Sequence, residues 1–224
     1  MSKIVYYMDE SDVFMIKTTG GICYYLIDSS IHSVKKVFNK CDRVEKFNSE
    51  CDREYKLGDT LYNFGETIVD KLKNNNIKIG LYLSKYDKNK RYIVSGSNMA
   101  GYCNSRNKVY GWFSTDGDVQ VTCKALIYDT NKNERKNSSV AYTVFSTDNI
   151  NECESFNSYI DTKFVRFLVM IGFCTTGCFK DESWRFVSAP KAFDHIFTDQ
   201  ELYKEYDLTD EEIAIIESVI KERK

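Results

Sequence analysis

The chain has 224 residues, 42% of them hydrophobic and 29% charged, with a formal net charge of −2, which suits one large or two small globular domains and argues against a uniformly basic nucleic-acid binder. No apolar run approaches the roughly 18 residues of a membrane span, and Asp9, Glu10 and Asp12 cut the apolar core that a signal peptide needs. The expected compartment is therefore the cytoplasm, with no membrane contact.

In chain order, "KIVYY", "DVFMIK" and "GICYYLID" are short aromatic and β-branched runs that predict strands, with Gly20-Gly21 able to supply a tight turn. Leu57, Leu61, Phe64, Ile68 and Leu72 then recur at steps of three or four, which predicts a helix ending at "NNN", residues 74–76. A second set of strands follows in "IKIGLYLS", "RYIVSG", "VYGWFS", "VQVTCKALIYD" and "SVAYTVFST", separated by polar turn chemistry. From Asn151 onward, Phe156, Ile160, Phe164, Phe167 and Ile171 form one apolar stripe, predicting a single amphipathic helix of about five turns. Asn151 with Glu154 marks its expected start. Thr198 with Glu201, and Thr209 with Glu212, are two T-x-x-E capping boxes that announce two further helices. In the last of these Ile213, Ile216 and Ile220 make an apolar seam for this domain or a partner to cover. The sequence predicts an α+β fold: mostly antiparallel twisted sheets over residues 1–150, with one long amphipathic helix and a short helical tail over residues 151–224, packed as one compact unit.

Charge is uneven along the chain. Asp70 to Lys136 holds 13 Lys and Arg against 6 Asp and Glu, whereas Asp194 to the end holds 4 against 10. A basic middle with an acidic tail fits a polyanion on one face, although a solvated lysine-rich loop gives the same composition. Within that middle, "GYCNSRNKVYGWF" interleaves Tyr102, Asn104, Ser105, Arg106, Asn107 and Lys108. Arg and Lys donate to guanine edges or phosphates, and Asn can both donate to and accept from adenine, so this inventory suits base reading from a loop and equally suits an ordinary polar hairpin.

Catalytic patterns are lacking: there is no G-x-x-x-x-G-K-[ST], G-x-S-x-G or H-E-x-x-H. The two histidines, His32 and His195, have no suggestive sequence context. The eight cysteines are scattered, and Cys174 with Cys178 lacks a second pair at metal-site spacing, so reduced thiols and no metal are expected. Asp52, Glu54 and Lys56 supply an acidic-residue-x-Lys spacing that a metal-dependent nuclease uses, and one that arises readily by chance in so charged a chain.

The segments "YTVFSTDNINECESFNSYIDTKFVRFLV" and "SWRFVSAPKAFDHIFTDQELYKEYDLTDEEIAIIESVIK" resemble the C-terminal target-recognition region of Eco57I-like adenine-N6 DNA methyltransferases of restriction-modification systems. The resemblance is dense over residues 139–221 and thinner over 15–138. It implies a DNA target-recognition module that binds duplex DNA and works with a separate methyltransferase or restriction subunit docked through Ile213, Ile216 and Ile220. The family's catalytic half carries an Asn-Pro-Pro-Tyr motif, which this chain cannot contain because Pro190 is its only proline. The chain therefore reads as non-catalytic, without a cofactor. Departures include "MIGFCTTGCF" at 170–179, Ser188 where the family pattern has proline, and Asp207 where it has glycine. On this reading the DNA-binding residues are Lys85, Lys88, Lys90 and Arg91 at phosphates, with Tyr102, Asn104, Ser105, Arg106, Asn107 and Lys108 toward bases. The alternative is an interaction protein that inhibits or regulates a restriction or defence enzyme, with a small nuclease a less favoured third.

Overall fold

A computed structural model of the chain describes residues 3–7, 13–14, 22–26, 30, 36–40, 48–55, 59–74, 89–97, 125–132, 141–172, 184–220 and 222. Of the expected strands, "IKIGLYLS" and "VYGWFS" fall outside these residues, and so does "DVFMIK" apart from Val13 and Phe14, which are not in a strand.

The first strand, β1 (Lys3–Tyr7), buries Ile4, Val5 and Tyr6. It pairs antiparallel with β2 (Ile22–Leu26) on one side and parallel with β3 (Lys36–Lys40) on the other. A short antiparallel β4 (Ser49–Cys51) completes the order β2-β1-β3-β4. This sheet is thus mixed, with the parallel β1–β3 pair set between two antiparallel ones. After the β1–β2 pairing the chain returns to the far side of β1 and enters β3 in β1's own direction.

A polar hub welds β3 to the following segment. Asn39 is fully buried; its Nδ2 donates to the Leu61 carbonyl at 2.7 Å, and its Oδ1 accepts from the Asn63 N–H at 2.7 Å. Asn63 answers by donating to the Val37 carbonyl and to Ser49 Oγ. Thr60 donates to the carbonyl of Ile171, more than a hundred residues away in sequence. These bonds hold residues 59–62 in a non-helical path, so the helix expected over this stretch begins later; Leu57 lies outside the described residues. A single 3-10 turn, Asn63–Gly65, leads into α1 (Glu66–Asn74), which buries Ile68, Val69 and Leu72. At Gly65 a β-carbon would stand 3.0 Å from two Ile171 side-chain carbons, so a larger residue here would push on that side chain.

The second sheet is antiparallel in the order β6-β5-β7, built from β5 (Tyr92–Ser97), β6 (Ala125–Asp129) and β7 (Ala141–Thr147). Its β5–β7 register shifts between Val94 and Ser95. Against β5 and β7 packs α2 (Ile150–Asp161), whose N-cap is Asn149, the side chain accepting from the Asn151 N–H. The expected single long helix is two. Thr162 adopts φ −59°, ψ 149°, ends α2, and starts α3 (Lys163–Gly172) by accepting from the Val165 N–H through its hydroxyl. Asp199 caps the same end by accepting from the Phe164 N–H at 2.9 Å.

Every residue of α3 is buried, because α2 lies on one side of it and α4 (Asp199–Glu205) and α5 (Asp210–Val219) on others. One continuous buried cluster draws Tyr6, Tyr62, Leu72 and Val94 together with Phe156, Phe167, Trp184, Leu202 and Ile216, so side chains from both sides of residue 150 share it. Phe145 stacks on Phe156 at 4.9 Å, with Phe193 edge-on to both. Burying each such large side chain is worth about 1.5–3 kcal/mol. Ser188 is fully buried, its carbonyl accepting from the Tyr159 hydroxyl at 2.7 Å and its own hydroxyl bonded to that of Tyr206. A proline there would give up the hydroxyl contact.

Candidate functional site

The second sheet sets the geometry of the expected DNA-binding residues. Gly96 pairs with Ala125, so β5 and β6 lie side by side where residues 98–124 leave one strand and enter the other. Tyr102, Asn104, Ser105, Arg106, Asn107 and Lys108 all belong to that segment and lie outside the described residues, as do Lys85 and Lys88. Lys90 and Arg91 are described, and they stand before Tyr92, at the opposite end of β5. The two sets of candidates are thus attached to the sheet about 17 Å apart, from five strand steps of about 3.4 Å.

Both cations are held by carboxylates that the sequence reading missed. Lys90 Nζ lies 2.7 Å from Asp148 Oδ2, and the Arg91 N–H donates to the other oxygen of the same carboxylate. Arg91 also forks onto Asp129, with Nη2 3.1 Å from Oδ2, while its guanidinium carbon sits 4.9 Å from the Tyr92 ring centre. The hydrogen bond from Arg91 holds the Asp129 carboxyl below its ordinary value, and that from Lys90 does the same for Asp148. Asp129 ends β6 and Asp148 follows β7, so the two acids reach β5 from strands on either side. Their signal was an Asp directly after an apolar strand, which sequence alone does not separate from turn chemistry.

The expected docking seam is a correction. Ile216 and Ile220 are buried within the chain's own core and Ile213 is packed against it. Lys71 of α1 fastens this region further, its ammonium bonding the Asp207 carbonyl at 2.6 Å and Glu212 at 2.7 Å. Surface apolar groups lie elsewhere, on β2 at one edge of its sheet: Tyr24, Tyr25 and Leu26 are each more than half exposed.

The acidic residues considered for metal chemistry are dispersed. Asp52 pairs with Lys36 at 3.3 Å, Lys56 lies outside the described residues, and Glu54 borders a hollow of about 230 Å³ with Arg53, Asp59, Glu66, Asp70 and Lys73. Arg53 is almost fully buried there, bonded to Glu66, Asn63 and the Thr60 carbonyl. Lys73 pairs with Asp59. Among the described residues no three His, Cys, Asp or Glu side chains are placed to hold a metal ion, and no helix is long and apolar enough to cross a membrane.

His32, Cys174 and Cys178 lie outside the described residues. Cys153 is buried, and burial pushes its thiol up to about 12, so it is inert at neutral pH. His195 stands between two carboxylates, with Nδ1 2.7 Å from Asp194 and Nε2 2.7 Å from Glu201. No family model matches the chain, and no curated protein or solved structure matches it either.

Proposed function

We propose that this chain is a DNA target-recognition module of a restriction-modification or DNA-methylation system, binding duplex DNA and working with a separate catalytic subunit. The observation that carries this reading is the pairing of β5 with β6, which frames residues 98–124 on a sheet backed by α2. A sheet whose neighbouring strands carry the two ends of a segment holding Asn104, Arg106, Asn107 and Lys108 suits base reading. The separation of about 17 Å between the two ends of β5 is near half a turn of B-DNA, which repeats at about 34 Å. One end then addresses bases through Asn104, Arg106, Asn107 and Lys108, and the other addresses phosphates.

Lys85 and Lys88 carry the larger phosphate role in this scheme, because Lys90 and Arg91 already neutralise Asp148 and Asp129. The family resemblance over residues 139–221 supports the same reading, in which methyl transfer belongs to the separate subunit. Arg106→Ala is expected to weaken binding of a cognate duplex about ten- to hundredfold, while leaving unrelated duplexes nearly unchanged. Lys88→Ala should weaken all duplexes alike and flatten the logarithmic salt slope by about one. Equal loss on every sequence with Arg106→Ala contradicts the base-reading role.

A second reading is favoured by β2. Its exposed Tyr24, Tyr25 and Leu26 suit protein contact, so a non-catalytic interaction protein that regulates a restriction enzyme is the alternative. Co-purification with such an enzyme, without any DNA retention, distinguishes it.

A further inference from the structure

Residues 189–198 run from Ser188 to α4 without a helix or strand and act as a strap over the core. Two phenylalanines anchor it: Phe193 meets Phe145, Phe156 and Tyr159 edge-on, and Phe197 meets Tyr159 at 5.1 Å. The Phe197 N–H donates to Ser158 Oγ of α2 at 2.9 Å. Between the anchors, His195 lies on the outer side with its ring centre 4.2 Å from that of Phe197.

The chemistry of His195 is unusual for a surface residue. Both ring nitrogens face carboxylate oxygens at 2.7 Å. A neutral imidazole has one N–H and would turn a lone pair toward one of those oxygens, so only the imidazolium satisfies both. Asp194 is the adjacent residue, whereas Glu201 belongs to the first turn of α4. The contact through Nε2 is therefore the one that ties strap to helix.

Glu201 also has a competing partner. Thr198 and Glu201 are a T-x-x-E pair, but only one half of the box is made: Thr198 Oγ1 accepts from the Glu201 N–H at 3.3 Å. The Thr209 and Glu212 pair makes both halves, with the Glu212 carboxylate accepting from the Thr209 N–H at 2.8 Å. In α4 the glutamate is spent on His195 instead.

We propose that Glu201 is a two-position, pH-sensitive latch, held by His195 when the imidazole is charged and released to the Thr198 N–H, completing the capping box, when it is neutral. The strap is clipped to α4 in the first state and loosened in the second. The hydrogen bond to Asp194, helped by Glu201 and opposed by slight burial, raises the His195 pKa above its ordinary value. The clip's stabilisation is thus complete below the unfolded imidazole pKa, about 6.5, and is lost as pH rises through the higher folded value. Other charges around the adjoining groove are Lys191 on the strap and Lys204 and Glu205 on α4. The neighbour from α2 is Ser158, which is neutral. Lys191 and Lys204 give Glu201 no second imidazolium, so the exchange rests on His195.

Nuclear magnetic resonance of the whole chain between pH 5 and 9 tests this. The Thr198 amide resonance is expected to shift with the same midpoint as the His195 ring, and its protection, corrected for intrinsic exchange, to rise roughly fivefold, as a gained cap bond of about 1 kcal/mol implies. In Glu201→Ala the His195 midpoint should fall and the Thr198 shift disappear; in His195→Gln the Thr198 amide should stay in its high-pH position throughout. A Thr198 amide indifferent to His195 titration, or a His195 midpoint unchanged in Glu201→Ala, overturns the latch.

Discussion

Asp207 has φ 50°, in the left-handed region that glycine favours. The reason is local: the Leu208 N–H reaches the Tyr203 carbonyl at 2.9 Å and the Asp207 N–H reaches that of Lys204 at 3.2 Å, which together form a Schellman close to α4. The resembled tail carries glycine at this position, and the backbone here explains why glycine suits it. Asp207→Gly is expected to stabilise the fold by about 0.5–1 kcal/mol, read as a higher urea midpoint at an unchanged slope. The carbonyl that accepts from Lys71 is main-chain, so that contact survives the change. Asn39 gives the opposite case. Its truncation to Ala leaves the half-buried Asn63 N–H and Leu61 carbonyl without their partner, and a loss of about 1–3 kcal/mol in denaturant unfolding is expected. Nothing in "KVFNK" separates this buried hub from a surface asparagine, because the distinction depends on residues more than twenty positions away.

At the scale of elements, legibility followed local chemistry. Both T-x-x-E starts produced helices where expected, since a capping residue acts within one turn. Strands β1, β2, β5, β6 and β7 were legible as apolar runs. The strands β3 and β4 were not, because they alternate Val37, Phe38 and Cys51 with Lys, Asn, Ser and Glu and are held by pairing and the Asn39 hub. The single long helix failed at Thr162. The apolar stripe from Phe156 to Ile171 continues across the break because α2 and α3 line the same core, and periodicity reports the core face without reporting continuity. The buried seam of α5 yields a direct check: Ile216→Ala should cost about 2–5 kcal/mol in urea unfolding, the range for a truncated core aliphatic. A loss below about 0.5 kcal/mol would return that face to the surface and to a partner.

For the whole molecule, the proposed division of labour is between a helical base and a sheet whose strands β5 and β6 flank the candidate recognition segment. Among the described residues, 150–172 and 184–220 supply most of the large buried side chains, including Phe156, Tyr159, Phe164, Phe167 and Trp184. The candidate readers belong instead to the basic middle of the chain, between β5 and β6. Composition made the charge contrast visible. It did not reveal that Lys90 and Arg91 are balanced by Asp148 and Asp129, since those pairs form only when β6 and β7 flank β5. The most direct test of the account is to expose the purified chain to a pool of random duplex DNA at low and moderate salt and sequence what is retained. A recognition module enriches one short motif, and that retention is lost with Arg106→Ala. Absence of retention at either salt would contradict it.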